Sequence, residues 1–482
     1  MRLTASDASF LYFETASGPM HISSVSVIDG ELSFDEVYQH FADRLHLVPA
    51  YRRKLAPVPM SIAHPQWVDD PDFDLANHVI DHELPEGSSL EDGIAAAVKL
   101  NEPLMDRARP LWYAYVIRGV PGKTLMLHGT HHCMIDGASG VELMAIIYDF
   151  VAEGENVPAP KAPWEPERVP PPATLFNDAL AENMQALART NWTQTLMPSS
   201  GRQAMMQRAS RIMADFVTRP VVTAPFNAGL ISQNRDLAWM GQSFGEIREI
   251  RRALGGTVND VVLAVVTSAV ADYLAAEGVD TDNQYMRVMC PVNVRTENQK
   301  GSLGNRVSAI FPVLPAWQMP LTQRLAAVVS EVERIKQNQD AQALASMQET
   351  QPQPWPVALW ANQLVSTPLD PTAMAAAMPP LRLPPGVRPP HIGYNFTCTN
   401  VPGPQVPQYL CGKLVDHQIG LMVCNGNVGF NIAILSYNNT VYFNFICDPT
   451  LLSNVDFIRE RAAAAFEDLL TTARERTAAL RA

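Results

Sequence analysis

The stretch "LHGTHHCMIDGASG", residues 127–140, lies where a strand-like pattern gives way to a helix-like one. The run "TLMLHGTHH" is strand-like and comes shortly after a Pro-Gly pair, a boundary that is typical of a β-strand. The run "SGVELMAIIYDFVAE" that follows has the spacing of a helix. Between them stand the adjacent pair His131 and His132, then Asp136 and Gly137. The pattern predicts a polar cluster at a strand-to-helix junction.

The adjacency of the two histidines limits what they can do. A zinc protease motif would need histidines at i and i+4 of a helix, whereas adjacent side chains on an extended segment point to opposite faces. Joint metal ligation is therefore disfavoured. One imidazole facing a cavity suits a general base at neutral pH. Cys133 is the nearby candidate nucleophile, but in an extended segment it points away from His132, so covalent cysteine catalysis is the weaker interpretation.

Composition narrows the class of protein. The chain has 482 residues, 47% hydrophobic and 18% charged, with a net charge of −13 and a pI near 5.3. This is an ordinary globular composition, long enough for two large units or three small ones. An acidic chain is a poor candidate for a nucleic-acid binder, so no nucleic-acid partner is expected.

Cysteine spacing and hydropathy indicate a cytoplasmic protein. The six cysteines form no C-x-x-C pair, so a zinc site of the usual kind is not expected. They are also too sparse for a disulfide scaffold. The N-terminus lacks the continuous apolar run of a secretory signal. The longest apolar stretch, residues 261–276, is interrupted by polar residues and is interpreted as a buried helix.

The chain divides at a proline-dense segment. Residues 156–172 hold seven prolines and are predicted to be an extended linker. The predicted organisation is an N-terminal domain over 1–155, a crossover linker with helices over 156–240, and a C-terminal domain over 241–482. Both halves mix helices and strands.

Three local signals predict where elements begin or turn. A helix is predicted to begin after Ser33. Two further helices are predicted to be separated by a break at Gly255 and Gly256. A hairpin is predicted to turn at Asn438 and Asn439.

The pattern HHxxxDG, here residues 131–137, resembles the signature of coenzyme-A-dependent acyltransferases of the chloramphenicol acetyltransferase-like superfamily. Other blocks resemble the bacterial wax ester synthase/diacylglycerol acyltransferase family in particular. They occur in the order of that family and span nearly the whole chain. The blocks are D-x-x-F-L-x-x-E at Asp7, Phe10, Leu11 and Glu14; Pro19-Met20-His21; Pro110-Leu111-Trp112; Asn259-Asp260; "PVNVR" ending at Arg295; and "TNVPGP" at 399–404.

The resemblance implies a fold and a reaction. The fold is α/β with mixed sheets, in which two similar domains form a pseudo-dimer with a tunnel between them. The reaction is O-acyl transfer from long-chain acyl-CoA to diacylglycerol, giving triacylglycerol, or to a long-chain fatty alcohol, giving a wax ester. His132 is the implied general base in a direct transfer. Acyl-CoA is a co-substrate, and no metal or bound cofactor is implied.

Supporting roles follow for the other motif residues. Asp136 is predicted to brace the loop by pairing with Arg295, while Gly137 permits the turn. His131 is predicted to be a packed, hydrogen-bonded neighbour of the base. Trp112 is expected to lie in the core rather than against the acyl chain.

Asn259 and Asp260 leave an alternative open, because both stand where a helix is predicted to begin. Asn259 either caps that helix, as Ser, Thr, Asn and Asp commonly do, or donates a hydrogen bond to the oxyanion. Lining of the implied tunnel is a third role for it.

A basic amphipathic segment over residues 202–219 carries four arginines against one aspartate. Such a segment either packs on its own protein or lies in a membrane interface. We therefore expect a cytoplasmic protein, monomeric or homodimeric, with peripheral contact to the inner membrane face or lipid inclusions as one possibility. Two other functions stay open, namely acyl transfer to a polyketide, sugar or short-chain alcohol, and a non-catalytic scaffold.

Overall fold

The computed structural model describes residues 1–135, 137–189, 221–293, 307–338 and 393–481, with several single positions between 203 and 219. Two large sheets, each mixing parallel and antiparallel pairs, are covered by helices. This confirms the predicted mixed α/β fold class. The implied tunnel between the halves remains a prediction.

The N-terminal half alternates helices and strands. Its helices are α1 (Ala5–Phe13), α2 (Phe34–Arg44), α3 (Leu90–Leu100), α4 (Gly137–Ile147) and α5 (Pro172–Arg189). Its strands are β1 (His21–Asp29), β2 (Arg53–Ala56), β3 (Gln66–Asp69), β4 (Val79–Glu83), β5 (Trp112–Arg118) and β6 (Lys123–His131). Helix α2 begins after Ser33, whose side chain and that of Glu36 form a capping box. This helix start was predicted from the sequence.

The C-terminal half has longer helices. They are α6 (Phe244–Leu254), α7 (Val258–Ala276), α8 (Leu321–Asn338) and α9 (Val455–Ala479). Its strands are β7 (Asp236–Ser243), β8 (Tyr285–Asn293), β9 (Val307–Ile310), β10 (Val313–Pro315), β11 (Phe396–Pro402), β12 (Tyr409–Leu410), β13 (Lys413–Leu421), β14 (Phe430–Tyr437) and β15 (Thr440–Cys447). The predicted break between two helices is found at Gly255 and Gly256, both with positive φ.

The second sheet has the strand order β10-β8-β11-β14-β15-β7, with β9 paired to β8. The hairpin of β14 and β15 turns at Asn438 and Asn439, with φ angles of 44° and 61°. Two central residues with positive φ are typical of the tight turn that matches strand twist. The predicted position of this hairpin is confirmed.

Helix α7 forms the centre of the C-terminal core. It is the one helix in the described part of the chain that is long and apolar enough to cross a membrane, but 72% of its most apolar window is buried inside the protein. It packs on α9 and α8, and Val265, Val266 and Val270 have no exposed surface. The structure thus agrees with the interpretation of this segment as a buried helix.

The first sheet is built from both halves of the chain. Its order is β12-β13-β1-β6-β5-β4. Strand β13 pairs antiparallel with β1 from Ser23 opposite Leu421 to Asp29 opposite Leu414. The predicted boundaries assign β12 and β13 to the C-terminal domain, whereas in the structure they extend the sheet of the N-terminal half.

Candidate active site

Strand β6 brings the histidine pair to the N-terminal end of β1. The antiparallel register places His131 opposite His21, and the strand ends at His131, where a turn begins. The backbone N–H of His132 donates to the carbonyl of Met20 at 2.8 Å. The condition under which Cys133 would point away from His132, an extended segment, is therefore not met, because a turn begins at His132.

His131 is fully buried and engaged through both ring nitrogens. Its Nδ1 accepts a hydrogen bond from the backbone N–H of Cys133 at 3.1 Å, so its Nε2 carries the proton. Nε2 lies 3.2 Å from Oε1 of Glu14 and donates to it. With no exposed surface and both nitrogens occupied, this imidazole has a structural position.

Glu14 is the carboxylate that holds this corner together. Its Oε1 accepts from the backbone N–H of Met20 at 3.1 Å as well as from His131, and its Oε2 accepts from Arg107 at 2.8 Å. Burial alone would raise the pKa of Glu14, but the hydrogen bonds from His131, Arg107 and the Met20 N–H outweigh it and lower the pKa to about 2. Glu14 is therefore an anion at neutral pH.

His132 faces a different environment from its neighbour. Its ring stacks on Phe10 of α1, with ring centroids 3.8 Å apart and an angle of 5° between the planes. The residue is partly exposed, whereas His131 has no exposed surface. Of the two adjacent imidazoles, His132 is the one that a substrate can reach.

Cys133 is poorly placed for chemistry. The residue is only 1% exposed. Burial, and then the charge of Asp7, raise the pKa of its thiol well above the ordinary value. A thiol that stays protonated is a weak nucleophile, so the structure gives no support to a covalent acyl-cysteine.

A third histidine stands beside the pair. His21 is buried, and its Nε2 lies 3.9 Å from Oε1 of Glu14. Burial, and then the nearby His131, lower the pKa of His21 to about 4, although Glu14 acts in the opposite direction. His21 is therefore neutral at physiological pH and adds no charge to the corner.

The Asn259–Asp260 motif lies at the start of α7, as predicted. The capping box is made by Thr257 and Asp260, whose Oδ2 accepts from the Thr257 N–H at 2.7 Å. Asn259 is not the cap. Its side-chain oxygen instead accepts a hydrogen bond from the amide of Asn400 on β11, which joins this motif to the "TNVPGP" block.

The remaining predicted residues are only partly covered by the structure. Trp112 is 2% exposed and stacks between Tyr51 and His78, with centroid distances of 4.1 and 4.7 Å. Gly137 begins α4. The predicted pair of Asp136 and Arg295 lies outside the described residues. Among the described residues, no three His, Cys, Asp or Glu side chains are arranged to hold a metal ion.

Sequence reasoning quoted Phe10 and Glu14 as part of a motif but gave neither a role. The available signal was their spacing. Residues four apart lie on the same side of a helix, so Phe10 and Glu14, the C-cap of α1, face the same side. Which side chains they meet there depends on the packing of α1, and the motif does not state it.

Family models match most of the chain. One, described as the wax ester synthase/diacylglycerol acyltransferase catalytic domain, matches residues 3–262. A second, described as the C-terminal domain of the same group, matches residues 303–470. In Mycobacterium tuberculosis, a probable diacylglycerol O-acyltransferase is 27% identical over 463 residues, covering 94% of this chain and 92% of its own. A candidate diacylglycerol O-acyltransferase of the same species is also 27% identical, with 98% of each chain covered.

Solved structures show the same fold. A wax ester synthase/diacylglycerol acyltransferase from Marinobacter aquaeolei superposes with a TM-score of 0.66 at 18% identity, covering 98% of this chain and all of that one. A starter condensation domain of rhizomide synthetase in complex with C8-CoA gives a TM-score of 0.57 at 13% identity, covering 98% and 94%. At these identities the likeness establishes the architecture alone.

Proposed function

The chain belongs to the wax ester synthase/diacylglycerol acyltransferase family, and we propose that it moves a long-chain acyl group from acyl-CoA to diacylglycerol or to a long-chain alcohol. Membership makes it an acyl-CoA-dependent O-acyltransferase. The observation that carries the site assignment is the contrast within the pair. His131 is buried with both nitrogens engaged, whereas His132 is partly exposed at the end of the same strand.

In the proposed mechanism, His132 takes the proton of the acceptor hydroxyl as general base. The alkoxide oxygen attacks the thioester carbonyl carbon, and a tetrahedral oxyanion forms. When this intermediate collapses, the carbon–sulfur bond breaks and an ester bond remains. The imidazolium returns the proton to the departing thiolate of coenzyme A, so the enzyme is regenerated without a covalent acyl-enzyme.

Two features support direct transfer over a covalent route. The thiol of Cys133 is buried and its pKa is raised, so it is not a thiolate at neutral pH. Glu14, the nearby carboxylate, is occupied by three hydrogen-bond donors. Neither group is placed to act as a nucleophile, and this favours base-assisted attack by the acceptor alcohol.

The test is lipid product analysis with purified protein. Labelled palmitoyl-CoA is incubated separately with diolein, hexadecanol and a short alcohol, and the products are resolved. We expect ester with diolein, hexadecanol or both. His132→Ala should abolish it while Cys133→Ala, the matched control at the adjacent position, retains it. Absence of ester with every acceptor would overturn the proposal, and ester with the short alcohol alone would move it to the alternative acceptor class.

We further propose a cytoplasmic enzyme that meets its acceptors at a lipid surface. Diacylglycerol and long-chain alcohols partition into membranes. Leu180 and Met184 stand four residues apart on α5 and are 47% and 61% exposed. In the sequence, this helix precedes the basic segment over 202–219. Co-sedimentation with anionic vesicles should be weaker for the double variant Leu180→Asp/Met184→Asp than for the unsubstituted protein. The control Leu230→Asp, which changes a similarly exposed leucine outside α5, should bind like the unsubstituted protein. Equal binding by all three proteins would refute this placement.

A further inference from the structure

Helix α1 is capped at its start and fixed against the histidine pair at its end. Thr4 caps its start, since its side chain accepts from the backbone N–H of Asp7 at 3.1 Å. Glu14 follows its last turn and binds His131 and the backbone of Met20. Because Met20 in turn accepts the N–H of His132, the end of α1 and the turn at His132 are linked through one residue. The helix cannot shift without breaking these bonds.

This anchoring leaves the orientation of the His132 ring to be explained. The hydrogen bond from His132 N–H fixes its main chain but not the rotation of its imidazole. The last torsion of a histidine side chain is broad rather than confined to narrow wells, so a ring that packs against one face of the imidazole restricts its direction. Phe10 covers one face, nearly parallel and at 3.8 Å between centroids.

Phe10 is held in place for this contact. It lies four residues before Glu14 on the same side of α1, and its carbonyl accepts the backbone N–H of Glu14 at 3.2 Å. It packs against the core of the N-terminal half rather than standing free. The Phe10 ring therefore provides a fixed flat surface against which the imidazole of His132 stacks.

We propose that Phe10 is a positioning residue, which clamps the imidazole of His132 at the angle needed for proton transfer. The inference rests on the proposed function, because it assumes that His132 is the base. A base that rotates away spends less time within reach of the acceptor hydroxyl. Loss of the Phe10 ring should therefore lower kcat and leave the binding of acyl-CoA unchanged.

Three variants test the clamp with saturating acyl-CoA and acceptor. Phe10→Leu removes the flat ring but keeps an apolar side chain, and Phe10→Tyr restores the ring. Phe34→Leu is the matched control, since Phe34 packs on the same core but makes a tilted ring contact with Tyr38 rather than with a histidine. We expect Phe10→Leu to lower kcat about 3- to 10-fold, the range that one aromatic pair supplies, with KM for acyl-CoA within about twofold. Phe10→Tyr and Phe34→Leu should keep most of kcat.

A second readout does not depend on turnover. A histidine ring lying over a phenylalanine experiences its ring current, so the carbon-bound protons of His132 should resonate upfield in the native protein and move toward ordinary values in Phe10→Leu. Unchanged kcat or unchanged shifts in Phe10→Leu would overturn the clamp, as would an equal fall of kcat in Phe34→Leu. Failure of the native enzyme to form any ester would refute the proposed function, and the shifts would still decide whether the contact exists.

Discussion

At the scale of single residues, the two adjacent histidines differ because the strand ends between them. His131 is the last residue of β6 and points into the core, where its Nε2–H donates a hydrogen bond to Glu14. His132 is the first residue of the turn and lies partly exposed against Phe10. The same side-chain chemistry is thus used once for structure and, in the proposed function, once for catalysis.

Substitution of the two histidines should separate these uses. His131→Ala leaves the buried carboxylate of Glu14 without one donor, which should lower the free energy of unfolding by about 1–3 kcal/mol. His132→Ala removes a partly exposed ring and should cost less than about 1 kcal/mol. Urea denaturation at pH 7 measures both. A larger destabilisation in His132→Ala than in His131→Ala would contradict the assignment of the two side chains.

At the scale of elements, the two residues of the Asn259–Asp260 motif have different roles at the start of α7: Asp260 takes part in the helix cap, and Asn259 contacts a neighbouring strand. Thr257 and Asp260 satisfy each other's backbone N–H groups, so α7 begins directly after the two glycines Gly255 and Gly256. Asn259 points away from the cap and binds Asn400 of β11. The motif therefore fixes both where the helix begins and how it meets the neighbouring strand.

Two single substitutions should resolve this division. Thr257→Ala removes the side chain that caps α7, so the free energy of unfolding should fall by about 1 kcal/mol. Asn259 is exposed, and Asn259→Ala should change the free energy of unfolding by no more than about 0.5 kcal/mol. Thermal or urea unfolding of each variant provides the comparison. If Asn259→Ala proved as destabilising as Thr257→Ala, Asn259 would have to take part in the cap.

At the scale of the whole molecule, the chain returns to its first sheet after building the second. Strands β12 and β13 come from residues 409–421 but extend the sheet of the N-terminal half next to β1. The two halves are consequently joined by a main-chain ladder, in addition to the packing of side chains. The N-terminal half does not have its complete sheet without strands β12 and β13 of the C-terminal half.

A fragment test follows from this exchange. Residues 1–155 expressed alone would leave β1 as an edge strand with unpaired N–H and C=O groups. We expect that fragment to be insoluble or to lack a cooperative unfolding transition by circular dichroism. Joining residues 405–424 to its C-terminus through a flexible linker should restore solubility and cooperativity. A stable, cooperatively folded 1–155 fragment would show that β13 is dispensable to the first sheet.

The buried histidines set the pH dependence of stability. Burial lowers the pKa of His21 and His64 to about 4 and that of His128 to about 3. The unfolded chain, with histidine values near 6.5, therefore takes up protons first as the pH falls. Stability should decline from about pH 6.5 to pH 4, with a slope of up to about 1.4 kcal/mol per pH unit for each such histidine.

Urea midpoints at pH 7, 6 and 5 measure this decline. Glu14 acts over a lower range, because its folded pKa of about 2 lies below the ordinary value of 4.5. Its contribution is complete above about pH 4.5 and is lost as the pH falls toward 2. The decline between pH 7 and 5 should therefore come from histidines. A midpoint that stays constant over this range would contradict the neutral state of the buried imidazoles.

Local signals predicted most of the elements. The capping residue Ser33, the Gly255–Gly256 break and the Asn438–Asn439 turn each act within a few residues, so the sequence indicates their outcome directly. Long-range arrangements were not accessible in this way. The predicted boundary near residue 241 assigns β13 to the C-terminal domain, because nothing in the spacing of residues 413–421 indicates its partner strand.

The sequence by itself determined the reaction class and the helix starts and turns, and it singled out the histidine pair as the candidate site, since motif residues and local backbone preferences are contiguous in the chain. Only the tertiary structure decided which histidine is buried, that Phe10 and Glu14 serve the two members of the pair, and that β13 completes the first sheet. The physical reason is distance along the chain. Burial, stacking and strand pairing depend on neighbours that folding brings together from 117 residues away, as for Glu14 and His131, or more.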